Sequence, residues 1–474
     1  MPAAADLRML GPEMLVAGTA LLVLVWATFL PPQRQHLLRW ISAAALAAAL
    51  AVVLRLGTGA ASAFSGMYAR DGLTVVLQSA ALLGALLALA LAGAYVERSH
   101  LDAGEFYALL LAAALGAMVM AGSRDLIMVF LGLETLSIPL YVLAAFARTD
   151  LRSQEAGMKY FLLGAFSTTF FLYGIALIYG VTGSTALARL AGSPGGPMLR
   201  AGVGLLLVGL AFKAALVPFH AWSPDVYEGA PLPVTAYMSV IAKIGAFAAL
   251  LRIFPGTLTA LAGEWRGILA VLSILTMVLG NLAALRQTSL KRLLAYSSIA
   301  HAGFILIGVA AGSGRGAWAV AFYLLGYTFM TLGAFAVALR VTRGGEEADA
   351  IADLTGLASR SPALAAAMAV FMVSLAGLPP TVGFVGKLYV FTAALEAGQN
   401  ALAIVGVLAS VVSAYYYLRV AYTMFTGEPA AGIAFAGDRW LGGALLAAAV
   451  GVLVLGVFPS PLTVFVQQVA QALR

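Results

Sequence analysis

Four ionisable residues stand in stretches that otherwise have no use for charge. They are Glu134 within FLGLETLSIPLY (residues 130–141), Lys213 between Gly209 and Pro218, Lys243 within YMSVIAKIGAF (237–247) and Lys387 at the end of GLPPTVGFVGK (377–387). A charge near the centre of a spanning helix costs roughly 2.5–3.5 kcal/mol on insertion scales, so four ask for on the order of 10 kcal/mol. Such groups usually face the bundle interior or water and mark ion or proton routes. One buried Glu–Lys pair reads equally well as a structural clamp between helices. Three lysines against one glutamate, however, cannot all be neutralised by pairing. Desolvation disfavours a charged amine, and a lysine brought towards neutrality can both accept and release a proton near physiological pH, which arginine cannot. The three mid-span cations are all lysine although arginine dominates the loops. That contrast favours proton handling.

Weaker candidates surround this set. His301 follows Tyr296, Ser297 and Ser298, where imidazole and hydroxyls would hold a water chain; a satisfied core histidine is the competing reading. His220 lies beside Pro218 and either joins the route or caps backbone groups freed by the proline. Asp225 and Glu228 are expected at a cytoplasmic mouth, gathering protons or simply solvated. Arg419, in YYYLRVAY (415–422), has a stem long enough to snorkel and is read as an interfacial anchor.

The elements that must position these residues are membrane helices. Of 474 residues 62% are hydrophobic and only 10% charged, against about a quarter charged in soluble domains. Apolar runs long enough to span recur along the whole chain. They divide into about fourteen spans: 11–30, 37–57, 72–95, 104–122, 125–147, 157–181, 200–222, 234–254, 265–285, 292–312, 316–342, 363–395, 401–426 and 440–459. The fold class is therefore all-α and polytopic, one membrane domain over 1–474. The seventh span holds Pro218, and the twelfth is too long for a ~30 Å core unless broken. Its Gly377, Pro379, Pro380, Gly383 and Gly386 predict that break. The broken spans are five apart, which suggests two inverted five-helix repeats, spans four to eight (104–254) and nine to thirteen (265–426). Three N-terminal helices (1–103) precede them and a last helix (440–459) follows. Interrupted helices at matching places in two halves point to an ion pathway.

Other features exclude alternatives. No cysteine is present, so disulfides, iron–sulfur clusters and thiolate metal sites are ruled out. His36, His100, His220 and His301 are too scattered for a zinc motif or for two haems. The net charge of +7 reads as loop arginine holding topology, not as a nucleic-acid surface. The first apolar stretch reads as a retained helix rather than a signal peptide. Lysine and arginine are modestly in excess on loops that are cytoplasmic if the N-terminus lies outside. The loop 343–362 mixes acids with apolar residues and reads as a short amphipathic surface helix or a solvated linker.

Three motifs carry a family resemblance: PFHAWSPDVYEGAPLPVTAY (218–237), KRLLAYSSIAHAGF (291–304) and GLPPTVGFVGK. They resemble the antiporter-like membrane subunits of respiratory complex I, the proton-pumping NADH:quinone oxidoreductase, over roughly residues 105–426. The resemblance implies a bacterial inner-membrane translocase subunit. Glu134 and Lys213 would be the fifth- and seventh-helix pair whose separation alters proton affinity. Lys243 would be the central relay, Lys387 the terminal lysine on the broken twelfth helix, and His301 a polar relay position on the tenth. The chain itself would bind no cofactor; NADH, FMN, iron–sulfur clusters and quinone belong to partner subunits. Its own partners would be other membrane subunits, including neighbouring antiporter-like ones, with the lipid bilayer and protons. An Mrp-type cation/proton antiporter subunit and the membrane subunit of a hydrogenase or formate-linked complex share these motifs. A sugar or drug facilitator lacks the fourteen-span plan, and a purely structural scaffold requires the buried charges to be inert. The loops 182–200 and 343–362 match no motif.

Overall fold

The computed structural model describes residues 4–31, 34–57, 59, 61–99, 101, 103–193 and 195–460; His100 lies outside them. In a bilayer every backbone polar group must be satisfied within the chain, and the fold answers with fourteen helical passes among the described residues. Twelve are helices long and apolar enough to cross alone. The first, Gly11–Ala27, is a turn shorter, and the twelfth crosses in two pieces, Pro362–Ala376 and Val382–Glu396. Side-chain caps set where passes begin. Asp71, Asp125, Asp150, Ser289, Ser313 and Asp438 each accept a backbone N–H from the first turn of the third, fifth, sixth, tenth, eleventh and fourteenth pass, the usual use of short polar side chains at a helix start.

The sixth pass, Leu151–Thr182, starts six residues earlier than apolarity alone suggests. Its polar opening turns are held by the Asp150 cap and by the Glu155–Lys159 pair one turn apart. The eighth (Leu232–Thr257), tenth (Leu290–Ala310), eleventh (Gly314–Arg340) and third (Gly72–Arg98) passes are buried along almost their whole length. The sixth, thirteenth (Asn400–Phe425) and fourteenth (Arg439–Val457) wrap them and turn apolar side chains such as Leu162, Val411 and Leu446 outward. Both expected breaks are present. The seventh pass, Pro197–Ala214, stops at Ala215, which is left-handed (φ 56°), and resumes as Trp222–Gly229.

The loop 343–362 departs from both expectations. Strand Val341–Arg343 pairs antiparallel with Glu346–Glu347 and, on its other edge, with Ile433–Phe435 from the segment before the last pass. The reason is local. Gly344 and Gly345 both take positive φ (61° and 90°), as a tight two-residue hairpin turn demands. A 3-10 turn, Ile351–Leu354, and one helical turn, Leu357–Arg360, complete the connection. The hairpin is fastened by Glu347, whose carboxylate accepts the Leu232 N–H (3.0 Å) and meets Lys291 Nζ (2.5 Å). In the loop 182–200 a short helix, Leu187–Ala191, follows Thr185, whose hydroxyl donates to Asp125.

Candidate functional site

Lys213 sits in the last turn of the seventh pass, immediately before the break, and is 3% exposed. Its ammonium donates to the Tyr160 hydroxyl at 3.0 Å and lies 5.4 Å from the centre of the Tyr141 ring. Trp222, the first residue after the break, stacks flat on Tyr160 (centroids 4.4 Å apart) and donates its indole N–H to the Phe212 carbonyl. The break thus supplies both a free helix end and the aromatic wall that fixes the lysine's partner.

Lys243, 2% exposed on the eighth pass, donates to Ser298 Oγ at 2.5 Å. Ser298 also accepts from the Tyr327 hydroxyl (3.0 Å) and lies 3.4 Å from the Tyr227 hydroxyl. One helical turn further along the tenth pass, His301 is 1% exposed and held between two phenols. Its Nδ1 is 2.8 Å from Tyr323 Oη and its Nε2 3.1 Å from Tyr417 Oη. Another turn on, the Phe304 ring lies 4.7 Å beneath the Lys387 ammonium. Residues 298, 301 and 304 share one helix face, stepping about 4.5 Å at a time. The tenth pass therefore presents Lys243, His301 and Lys387 in that order.

Lys387, 3% exposed, donates to the Leu375 carbonyl (3.2 Å), the Ala376 carbonyl (2.8 Å) and Ser410 Oγ (2.8 Å). The twelfth pass breaks so that the carbonyl end of its first half faces this amine, and a helix C-terminus carries partial negative charge. All three ammonium donors are used. Lys213 and Lys243 have one hydroxyl each, so the three lysines differ in how many partners hold the amine.

Glu134, on the fifth pass (Leu126–Ala144), is half-buried and accepts from the Thr168 hydroxyl at 2.8 Å. It forms no ion pair with Lys213: Thr168 holds the carboxylate and Tyr160 the amine. His220, within the break, is half-buried, and its Nδ1 meets no partner. Asp225 and Glu228 are partly exposed beyond the break but are tied up in ion pairs. Asp225 pairs with Lys159 and Arg292, and Glu228 with Arg292. Arg419 is held by backbone at a helix end. Its guanidinium donates to the Leu285 and Gln287 carbonyls, capping the end of the ninth pass (Ala262–Ala284).

Sequence reasoning missed the phenols. Tyr160, Tyr227, Tyr323, Tyr327 and Tyr417 are buried in apolar passes, and each carries a hydroxyl that must find a partner there. It also missed buried arginines. Arg252 grips Asp71 through both guanidinium nitrogens (2.5 and 2.7 Å) while donating to Thr74 and the Ala121 carbonyl. Arg39 pairs with Asp438 at 2.7 Å. Arg252 is engaged through all three guanidinium nitrogens and Arg39 through Asp438 and the Ala90 carbonyl, whereas Lys213 and Lys243 each rest on a single hydroxyl.

Comparison with known proteins gives one consistent pattern. The family described as "NADH:quinone oxidoreductase/Mrp antiporter, TM" matches residues 123–413. NADH-quinone oxidoreductase subunit N of Trichlorobacter lovleyi is 45% identical over 98% of this chain and 96% of the relative. A chain of respiratory complex I from Thermus thermophilus superposes with a TM-score of 0.83 at 41% identity, covering 95% of this chain and 98% of that one. A chain of the Mrp complex from Dietzia superposes equally well (0.84, 97% of both chains) at 25% identity.

Proposed function

This chain belongs to the NADH:quinone oxidoreductase/Mrp antiporter membrane family, and from that premise we propose that it is the counterpart of subunit N, a proton-translocating subunit of a bacterial inner-membrane NADH:quinone oxidoreductase. The single observation that carries the reading is the ordered chain of buried exchangeable groups, Lys213, Lys243, His301 and Lys387, joined or bordered by hydroxyls. NADH, FMN, iron–sulfur clusters and quinone are handled on partner subunits, and electron transfer there drives this chain mechanically or electrostatically. The Mrp-type reading fits the fold as well as complex I does. Identity of 41–45% against 25% favours complex I.

The mechanism follows from partner number. A proton can leave Lys213 when its charged form loses stabilisation, and Glu134 is the carboxylate whose approach or retreat changes that stabilisation. At a few ångströms and an effective dielectric near 20, such a pair is worth about 4 kcal/mol, the equivalent of several decades in proton affinity. Here Glu134 is held by Thr168 rather than by Lys213. Lys243 is the central station, and His301 bridges it to Lys387 at the twelfth-pass break. The two broken passes, each the fourth of a five-helix unit, are the symmetric halves of this route. The test is Lys243→Ala in the intact complex, with electron transfer and proton pumping measured separately. Unchanged pumping per electron would overturn the relay.

A further inference from the structure

We propose that Tyr227 and Ser298 form a two-hydroxyl inlet that charges Lys243 from the end of the bundle bearing the 341–347 hairpin; the inference rests on the relay reading of Lys243. The geometry is a count of donors and acceptors. A serine hydroxyl has one donor and two acceptor sites, an ammonium only donors, and a neutral amine one acceptor site. With Lys243 charged, its N–H and the Tyr327 O–H fill both acceptor sites of Ser298, leaving the serine hydrogen to turn to Tyr227 Oη, 3.4 Å away. With Lys243 neutral, its lone pair takes the Ser298 O–H, and the vacated acceptor site on Ser298 receives the Tyr227 O–H.

Charging then runs along that chain. A hydronium proton bonds to Tyr227 Oη, the original Tyr227 O–H breaks as its proton joins Ser298 Oγ, and the Ser298 O–H breaks as its proton bonds to Lys243 Nζ. Each hydroxyl ends with one proton, and Lys243 gains one positive charge. The serine hydrogen now points back to Tyr227, so a second proton cannot follow until Lys243 discharges.

The inlet lies beneath a polar cleft. A cavity of about 560 Å³ at the hairpin end is lined by Glu228, Pro231, Lys291 and Glu347 among others. Glu228 adjoins Tyr227 in sequence, and Lys291 precedes Ser298 by two helical turns, about 10 Å along the tenth pass. Tyr227 is itself fixed in place, its carbonyl accepting the Thr235 hydroxyl at 2.9 Å.

The test uses the intact complex in sealed membrane vesicles, with assembled complex quantified and NADH-driven proton uptake per electron measured for Ser298→Ala, Ser298→Thr and Tyr227→Phe. Ser298→Ala and Tyr227→Phe are each expected to lose as much pumping per electron as Lys243→Ala, and Ser298→Thr, which keeps the hydroxyl, to retain the wild-type ratio. Wild-type pumping by Tyr227→Phe overturns the inlet whatever Ser298→Ala does. If Ser298→Ala fails to assemble, Tyr227→Phe decides, because it keeps the buried ring and removes only the oxygen. Wild-type pumping by Lys243→Ala would instead remove the relay on which the inlet depends, so the two failures are distinguishable.

Discussion

Adding one methyl group at Gly377 should disable Lys387 without touching it chemically. Gly377 ends the first half of the twelfth pass with φ +84°, and a Cβ there would lie 2.6 Å from Lys387 Cδ and 3.0 Å from its Nζ. The lysine stem must retreat by about 0.8 Å to restore ordinary contact, at the point where its ammonium meets the Leu375 and Ala376 carbonyls. Left-handed backbone costs alanine roughly 1–2 kcal/mol, and weakening charge-assisted bonds adds about 1.5–3 kcal/mol. The part felt by the lysine alone corresponds to about 10- to 100-fold in proton transfer through Lys387. The assay is proton uptake per electron in vesicles, normalised to assembled complex. Gly377→Asn separates the two causes, because asparagine tolerates the left-handed region but carries the same Cβ. Both variants should pump poorly. Normal pumping by Gly377→Ala refutes the contact argument, and recovery in Gly377→Asn shows that backbone strain, not the displaced amine, was responsible.

Thr168→Val removes the hydroxyl that holds Glu134; losing one charge-assisted bond worth about 1.5–3 kcal/mol should let the carboxylate move and alter pumping about tenfold or more, and unchanged pumping rates would show that Thr168 does not govern its position. Arg252→Met leaves buried Asp71 with only the longer ion pair to half-exposed Arg124 (3.2 Å) and should lower stability, by up to about 3 kcal/mol, read as early thermal unfolding of detergent-solubilised complex. The Asp71–Arg252 pair also sets an acid limit. Burial pushes the Asp71 carboxyl up, but the Arg252 charge and hydrogen bonds outweigh it and hold the group at about 2, below its ordinary 3.8. A depressed carboxylate stabilises fully above the unfolded value and loses that contribution as pH falls towards the folded one. About 2 kcal/mol should therefore disappear between pH 4 and pH 2. An Asp71→Asn protein whose melting temperature falls as steeply as the wild type's over that window would contradict the assignment.

The skeleton of this fold is readable because lipid imposes it. Apolar length and polar punctuation place fourteen passes, and Pro218 and Gly377–Pro380 mark the two breaks. The three buried lysines and half-buried Glu134 are legible for the same reason: charge in an apolar run is costly enough to need a purpose. What escapes is anything decided between helices. Tyr160, Tyr227, Tyr323, Tyr327 and Tyr417 look like ordinary interior aromatics until their hydroxyls are placed. Asp71 and Arg252 are 181 residues apart, and nothing local announces their clamp. Asp225 and Glu228 read as a solvated mouth because their partners Lys159 and Arg292 arrive from other passes. The 341–347 hairpin is hidden because the partners of Glu347 (Lys291 and the Leu232 N–H) come from other passes.

Ser298, His301 and Phe304 ride on one rigid rod, and this has a mechanical consequence. Side-chain tips lie about 5–6 Å from a helix axis, so turning the tenth pass by roughly 30° sweeps all three through about 3 Å together, enough to undo any hydrogen bond at its end. Lys243, His301 and Lys387 thus share a single camshaft. A torque from a neighbouring subunit would engage or release the three stations in phase, with no signal needing to pass from one to the next.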